Sequence, residues 1–85
     1  MLFTSANLFA QTRTVSGQVT DSDTDEAIPG TTVLIQGTTR GTITDIDGKY
    51  QIDISSDGAN LMFSYAGYKT QLIEVGTRST INIAL

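Results

Sequence analysis

In Tyr50-Gln51-Ile52-Asp53-Ile54 the apolar residues fall at every second position, with Gln and Asp between them. A period of two suits a strand with one face on a core and the other in water, and it does not suit an amphipathic helix, whose period is about 3.6 residues. The same alternation recurs along the chain. Val15, Gly17 and Val19 share one face of a first segment, Val33 and Ile35 of a second, Leu61, Phe63 and Tyr65 of a later one; Ile73 with Val75, then Ile81, Ile83 and Leu85, complete the set. Turn-forming residues separate these runs: Asp21 to Pro29-Gly30, Gly37 to Gly41, Asp45 to Gly48, Ser55 to Gly58, Ala66-Gly67, and Gly76 to Ser79. Strands at intervals of roughly 8 to 12 residues, with turns between, predict an all-β sandwich or barrel of about seven short strands over residues 12–85. Pro29 stands at the mouth of a strand, where its missing N–H is tolerated.

Length limits what such a sheet can do. With 85 residues there is one domain at most, and a chain this short hides only about 60% of the surface that its unfolded form exposes. Seven short strands around a thin core leave little room for a catalytic cleft of several hundred cubic ångströms. The sequence has no histidine and no cysteine, which removes the usual general base, the Ser-His and Cys-His nucleophile pairs, disulfides and thiolate metal sites together. Ser64 and Tyr65 therefore have no general base to accompany them. The expectation is no enzymatic activity and no catalytic residue. A net charge of -4 argues against nucleic acid and against an anionic membrane surface, both of which are bound through basic groups.

Acid gathers in two loops, Asp21-Ser22-Asp23-Thr24-Asp25-Glu26 and Asp45-Ile46-Asp47-Gly48. Aligning Gly48 with the turn glycine of an EF-hand calcium loop puts Ile43 at the first ligand position and Ile54 at the bidentate one. Both are hydrocarbon, so Asp45, Asp47 and Gly48 are read as the turn of a hairpin instead, with Asp caps and a glycine that accepts positive φ. Asp21, Asp23 and Asp25 fit ligand positions better, although Glu26 stands where the turn glycine belongs. They are the candidate ligands of a weak, surface calcium site, and the competing reading is a solvated turn loop. No other cofactor is indicated. Tyr65, Tyr68 and Phe63 are the aromatic candidates for binding a partner or a glycan; alternation assigns Phe63 and Tyr65 to the core and leaves Tyr68 the more open, beside Gly67.

The opening run, Met1 to Gln11, is apolar with small residues and then gives way to Thr12-Arg13-Thr14. It reads as the remnant of a secretory signal peptide cleaved after Ala10, against a competing reading as an expression remnant or a disordered, loosely docked leader. It is too short for a membrane-spanning helix, which needs about 20 apolar residues, so no direct membrane insertion is expected. The strand-like ending Ile81-Asn82-Ile83-Ala84-Leu85 suggests a boundary within a longer polypeptide.

The ordered set Val15-Ser16-Gly17-Gln18-Val19-Thr20-Asp21, Ile28-Pro29-Gly30-Thr31-Thr32-Val33, Gly37-Thr38, Gly41-Thr42, Thr44-Asp45, Asp47-Gly48-Lys49-Tyr50 and Phe63-Ser64-Tyr65-Ala66-Gly67-Tyr68 resembles the carboxypeptidase D regulatory-like family. It is most similar to the version at the N-terminus of SusC/RagA-type TonB-dependent outer-membrane receptors of Bacteroidetes-like bacteria. The resemblance spans residues 14–85, and Ala66 departs from the β-branched residue often found at its position. It implies a seven-stranded, transthyretin-like (prealbumin-like, Ig-like) β-sandwich without catalysis of its own, exported to the periplasmic face of the outer membrane ahead of a plug and barrel. The implied partners are the rest of that receptor and periplasmic or outer-membrane proteins, and the isolated domain is expected to be a monomer. It carries over no catalytic or ligand residue. Gly30, Gly48 and Gly67 are read as tight-turn positions, and Gly17 as a point of close approach by another chain segment. A sheet edge is the expected contact surface, either the first strand, Arg13 to Asp21, or the last, Thr80 to Leu85. The alternative is a free-standing or peptidase-linked module that binds glycan or protein through Tyr68, Tyr65 and the loop 37–41.

Overall fold

The computed structural model describes residues 12–55 and 57–85, and the leader reading of residues 1–11 lies outside them. The strands are β1 Arg13–Thr20, β2 Thr32–Ile35, β3 Gly41–Ile43, β4 Lys49–Ile54, β5 Asn60–Ser64, β6 Gln71–Glu74 and β7 Ile83–Ala84. They form a three-stranded sheet, β4-β1-β7, and a four-stranded sheet, β3-β2-β5-β6. No helix occurs among the described residues.

Alternation is the cause of this layout. In β4, Tyr50, Ile52 and Ile54 are buried while Lys49, Gln51 and Asp53 are exposed. The antiparallel register sets Val15 opposite Ile52 and Gly17 opposite Tyr50, so both strands turn the same face inward. Val15, Val19, Ile81 and Ile83 from the smaller sheet and its flanks pack on Val33, Leu61, Phe63 and Val75 from the larger. Phe63 is fully buried, and Tyr50 meets it edge-on at 5.4 Å between ring centroids, 74° between planes. Burying one such side chain stabilises the fold by about 1.5–3 kcal/mol, so a few rings and branched aliphatics carry a core of this size.

β1 is the central strand of its sheet, with β4 antiparallel on one side and β7 parallel on the other. The expectation that it forms an edge is corrected. The cause is the segment that precedes β7: Ser16 donates its N–H to Ser79 O at 3.0 Å and Ile81 donates to Ser16 O at 2.8 Å, covering the side of β1 away from β4. Arg13 reinforces the cover, donating from Nη1 to Arg78 O at 2.6 Å and from Nη2 to Gly76 O, with Nε on Asp57 Oδ1 at 3.1 Å. Gly17 makes this crossing feasible. A Cβ there would lie 1.8 Å from the Ile81 carbonyl oxygen, the same oxygen that accepts the Tyr50 hydroxyl at 2.7 Å. Burial pushes the Tyr50 phenol up to about 12.

The Asp45–Gly48 turn begins as a hairpin and does not continue as one. Asp45 N donates to Lys49 O at 2.9 Å, and Lys49 N donates to Asp45 Oδ1 at 2.9 Å. Beyond that rung β3 and β4 separate into different sheets. The hairpin expectation therefore holds for the turn and fails for its strands, because Tyr50, Ile52 and Ile54 bring β4 onto β1 while Thr42 pairs with Val33 of β2.

Candidate functional site

The aromatic and acidic residues singled out from the sequence meet at one end of the sandwich. Asp21 follows β1 directly, and its Oδ1 accepts the N–H groups of Asp23 at 2.7 Å and Thr24 at 3.0 Å. Its backbone closes the same loop, with Asp25 N on Asp21 O and Asp21 N on Glu26 O, both 2.8 Å. Asp25 takes a φ of 63° to complete that turn. The remaining oxygen, Oδ2, accepts the Tyr68 hydroxyl at 2.6 Å. One carboxylate thus shapes the 21–26 loop and ties it to the 65–68 turn. The Tyr68 hydroxyl, followed by the Asp23 and Thr24 amides, holds the Asp21 carboxyl below its ordinary value. The same bond is the largest cause raising the Tyr68 phenol.

The candidate calcium ligands Asp21, Asp23 and Asp25 all lie in this loop. Both oxygens of Asp21 are engaged within the protein, and the described residues contain no group of three or more carboxylates positioned to hold a metal ion.

The tyrosines exchange their expected places. Tyr65 is 40% exposed, whereas Tyr68 is half-buried and packs against the core. The alternation that assigned Tyr65 inward ends with β5 at Ser64, and the turn closed by Tyr68 N on Tyr65 O at 3.0 Å redirects both rings. Their centroids lie 5.9 Å apart at a 48° tilt, and Tyr65 runs past Gly30. The loop 37–41 does not join them. Thr32 pairs with Ser64 and Ile35 with Leu61, so the 65–68 turn and the 37–41 loop sit at opposite ends of β2.

The other acidic loop is a turn throughout. Asp45 Oδ1 accepts from Asp47 N and Lys49 N, both at 2.9 Å, while Asp47 O accepts Gln18 Nε2 at 2.8 Å. Gly48 has φ 74°, and a Cβ there would lie 2.6 Å from Val19 O, so glycine is required on both counts. Gly30 and Gly67 take φ of 80° and 91°. Sequence reasoning missed the buried pair Thr31 and Thr44. Thr44 Oγ1 accepts Thr31 N at 2.9 Å and donates to Ile28 O at 2.7 Å, fastening the Pro29-Gly30 turn to the end of β3. Threonine is common in strands and turns alike, so nothing local marked these two.

The profile of the CarboxypepD_reg-like domain matches residues 15–85. The chain belongs to this family. The CarboxypepD_reg-like domain described here is 39% identical over its whole length to TonB-dependent receptor P3 of Formosa agariphila. It is 40% identical over 99% of its length to TonB-dependent receptor P26 of the same organism. Over 94% of the chain it is 39% identical to TonB-dependent receptor SusC of Bacteroides thetaiotaomicron. It spans 8% of the length of each of these relatives. Among solved structures, a chain of a type II cohesin-X-dockerin complex from Acetivibrio cellulolyticus superposes with a TM-score of 0.65 and 27% identity, over 85% of this domain and 52% of that chain.

Proposed function

We propose that this CarboxypepD_reg-like domain is a non-catalytic accessory domain of a TonB-dependent outer-membrane receptor, exported to the periplasmic side and acting through protein contacts. The observation that carries the reading is similarity to such receptors along the whole of the chain, at 39% identity. The geometry supports it. The carboxylates of Asp21 and Asp45 are committed to shaping turns, and the sequence has no histidine or cysteine. Its partners on this reading are the plug and barrel of the receptor and the proteins that meet them in the periplasm.

The test replaces residues 13–85 by a short flexible linker in the parent receptor. The reading expects receptor assembly, partner co-purification or nutrient uptake to fall. Unchanged values for all of these contradict it.

A further inference from the structure

The two sheets turn different surfaces outward. On the smaller one, the outward positions of β1 and β4 are all polar: Thr14, Ser16, Gln18 and Thr20, then Lys49, Gln51 and Asp53. An antiparallel pair with one face in water is expected to read this way, apolar inward and polar outward. The larger sheet departs from it. Val33 and Phe63 oppose one another and are fully buried, so their neighbours Leu34 and Met62 point away from the core. Leu34 pairs with Met62, and Met62 with Leu72, which sets three aliphatic side chains directly opposite one another across β2, β5 and β6. Residues so opposed share a face, with Cβ atoms about 5 Å apart. On β3 the row reaches Gly41, over which Leu34 leans, and Ile43 adds to it one row along, opposite Thr32.

Leu72 is 50% exposed and Ile43 63%. Single exposed aliphatic side chains are ordinary on a protein surface, whereas a contiguous set across a sheet marks a contact surface. These two rows contain no ionisable side chain; the first is Glu74, opposite Asn60, one row beyond Leu72. An uncharged, apolar surface is matched by another of the same kind.

Where the chain leaves the domain selects the occupant. Leu85, just past β7, donates its N–H to Thr20 O and accepts that of Ser22, both at 2.8 Å. Gln71, the first residue of β6, donates from Nε2 to Ala84 O at 2.8 Å. A polypeptide continuing beyond Leu85 therefore departs beside β6, close to Leu72. In the receptors to which the chain is similar, most of the polypeptide lies outside the matched span, which is 8% of their length.

We infer that the outer face of the four-stranded sheet, through Leu34, Met62, Leu72 and Ile43, docks on an apolar face of the domain that follows Leu85 in the same receptor polypeptide. The inference rests on the reading of this chain as an accessory domain of a receptor, and it names the face and the chemistry of the contact. A short tether beginning beside Leu72 holds that occupant at an effective concentration of about the millimolar range, so a small apolar patch is enough. A second copy or a separate protein has no such advantage. Ile46 and Tyr65, both on turns, lie outside this face.

The test places a photo-crosslinking residue in the intact receptor at Leu72, at Ile43, or at Gln51 on the polar face, and maps the joined peptides by mass spectrometry. Leu72 and Ile43 stand on opposite edge strands of the sheet, three strand spacings or about 14 Å apart. Both should join to one folded unit of the same polypeptide beyond Leu85, leaving the mass of the receptor unchanged on a denaturing gel, and Gln51 should not. With the cross-linker at Ile43, Leu72→Asp should lower the yield by about tenfold and Leu72→Met should keep it. Both variants alter an exposed side chain and leave the core in place. A link from Leu72 alone, confined to residues directly after Leu85, overturns the inference, because the tether by itself produces it. Links to residues 1–11, to a second copy or to a separate protein in place of the downstream domain also overturn it, as do an equal yield from Gln51 and the absence of any link. These outcomes leave the accessory-domain reading standing, since that reading falls with the deletion of residues 13–85.

Discussion

At the scale of single residues, the Asp21 carboxylate decides how one end of the molecule is organised. Its two oxygens serve a turn and a tyrosine, and the bond to Tyr68 is the largest cause holding its pKa below the ordinary value. A carboxyl whose pKa is depressed in the folded state contributes stability above the ordinary value of 3.8, and that contribution is lost as pH falls through the folded value. Tyr68 carries the opposite sign. Its phenol is raised, so its contribution holds below the ordinary value of 10.0 and is lost as pH rises beyond it. Tyr68→Phe should therefore lower stability at neutral pH, with a gap from the unaltered chain that narrows in acid and again in strong base. By carbon-detected NMR titration, Asp21 should titrate higher in the variant but stay below its ordinary value, because the Asp23 and Thr24 amides remain. An Asp21 titration that does not move would contradict this account. The sequence disclosed the acidic loop and both tyrosines but not the bond between them. Asp21 and Tyr68 are brought together by the packing of one sheet on the other, and alternation cannot reach past Ser64, where β5 stops.

The elements were more legible. Period-two runs located β1, β2, β4, β5, β6 and β7, since each alternation is written into its own segment, whereas β3, only Gly41–Ile43, is too short to show one. Pairing order was not, because it depends on contacts between distant segments: β1 looks like an edge until Ser79, Ile81 and Arg13 are seen closing its second side. Gly17 is where that pairing is most exposed to test. Its reading as a point of close approach matches the Ile81 carbonyl that lies where a Cβ would stand. Gly17→Ala forces β7 and its leading segment away from β1 and loosens the acceptor of Tyr50. Overpacking of this kind costs about 1–3 kcal/mol and sometimes more. Because the obstacle here is backbone, the loss in a urea titration should reach about 3 kcal/mol or leave the chain unfolded. A loss under about 1 kcal/mol would contradict the crossing geometry.

The whole molecule is a small two-sheet sandwich whose Asp21 and Asp45 carboxylates are engaged in turns. The resemblance to CarboxypepD_reg-like domains was legible because its motifs are these turns in order, from Pro29-Gly30 through Asp47-Gly48 to Ala66-Gly67. The assignment of β3 and β4 to different sheets was not, since a local reading joins them as a hairpin. The central claim is that such a molecule works by touching other proteins. A photo-crosslinking residue placed in the intact receptor, in living cells, at each of the exposed apolar positions Ile43, Ile46, Tyr65 and Leu72 in turn tests it most directly. The account predicts a discrete adduct with another polypeptide from at least one of these positions. Receptor that is made and takes up nutrient normally, with no protein adduct from any of these positions, would contradict it.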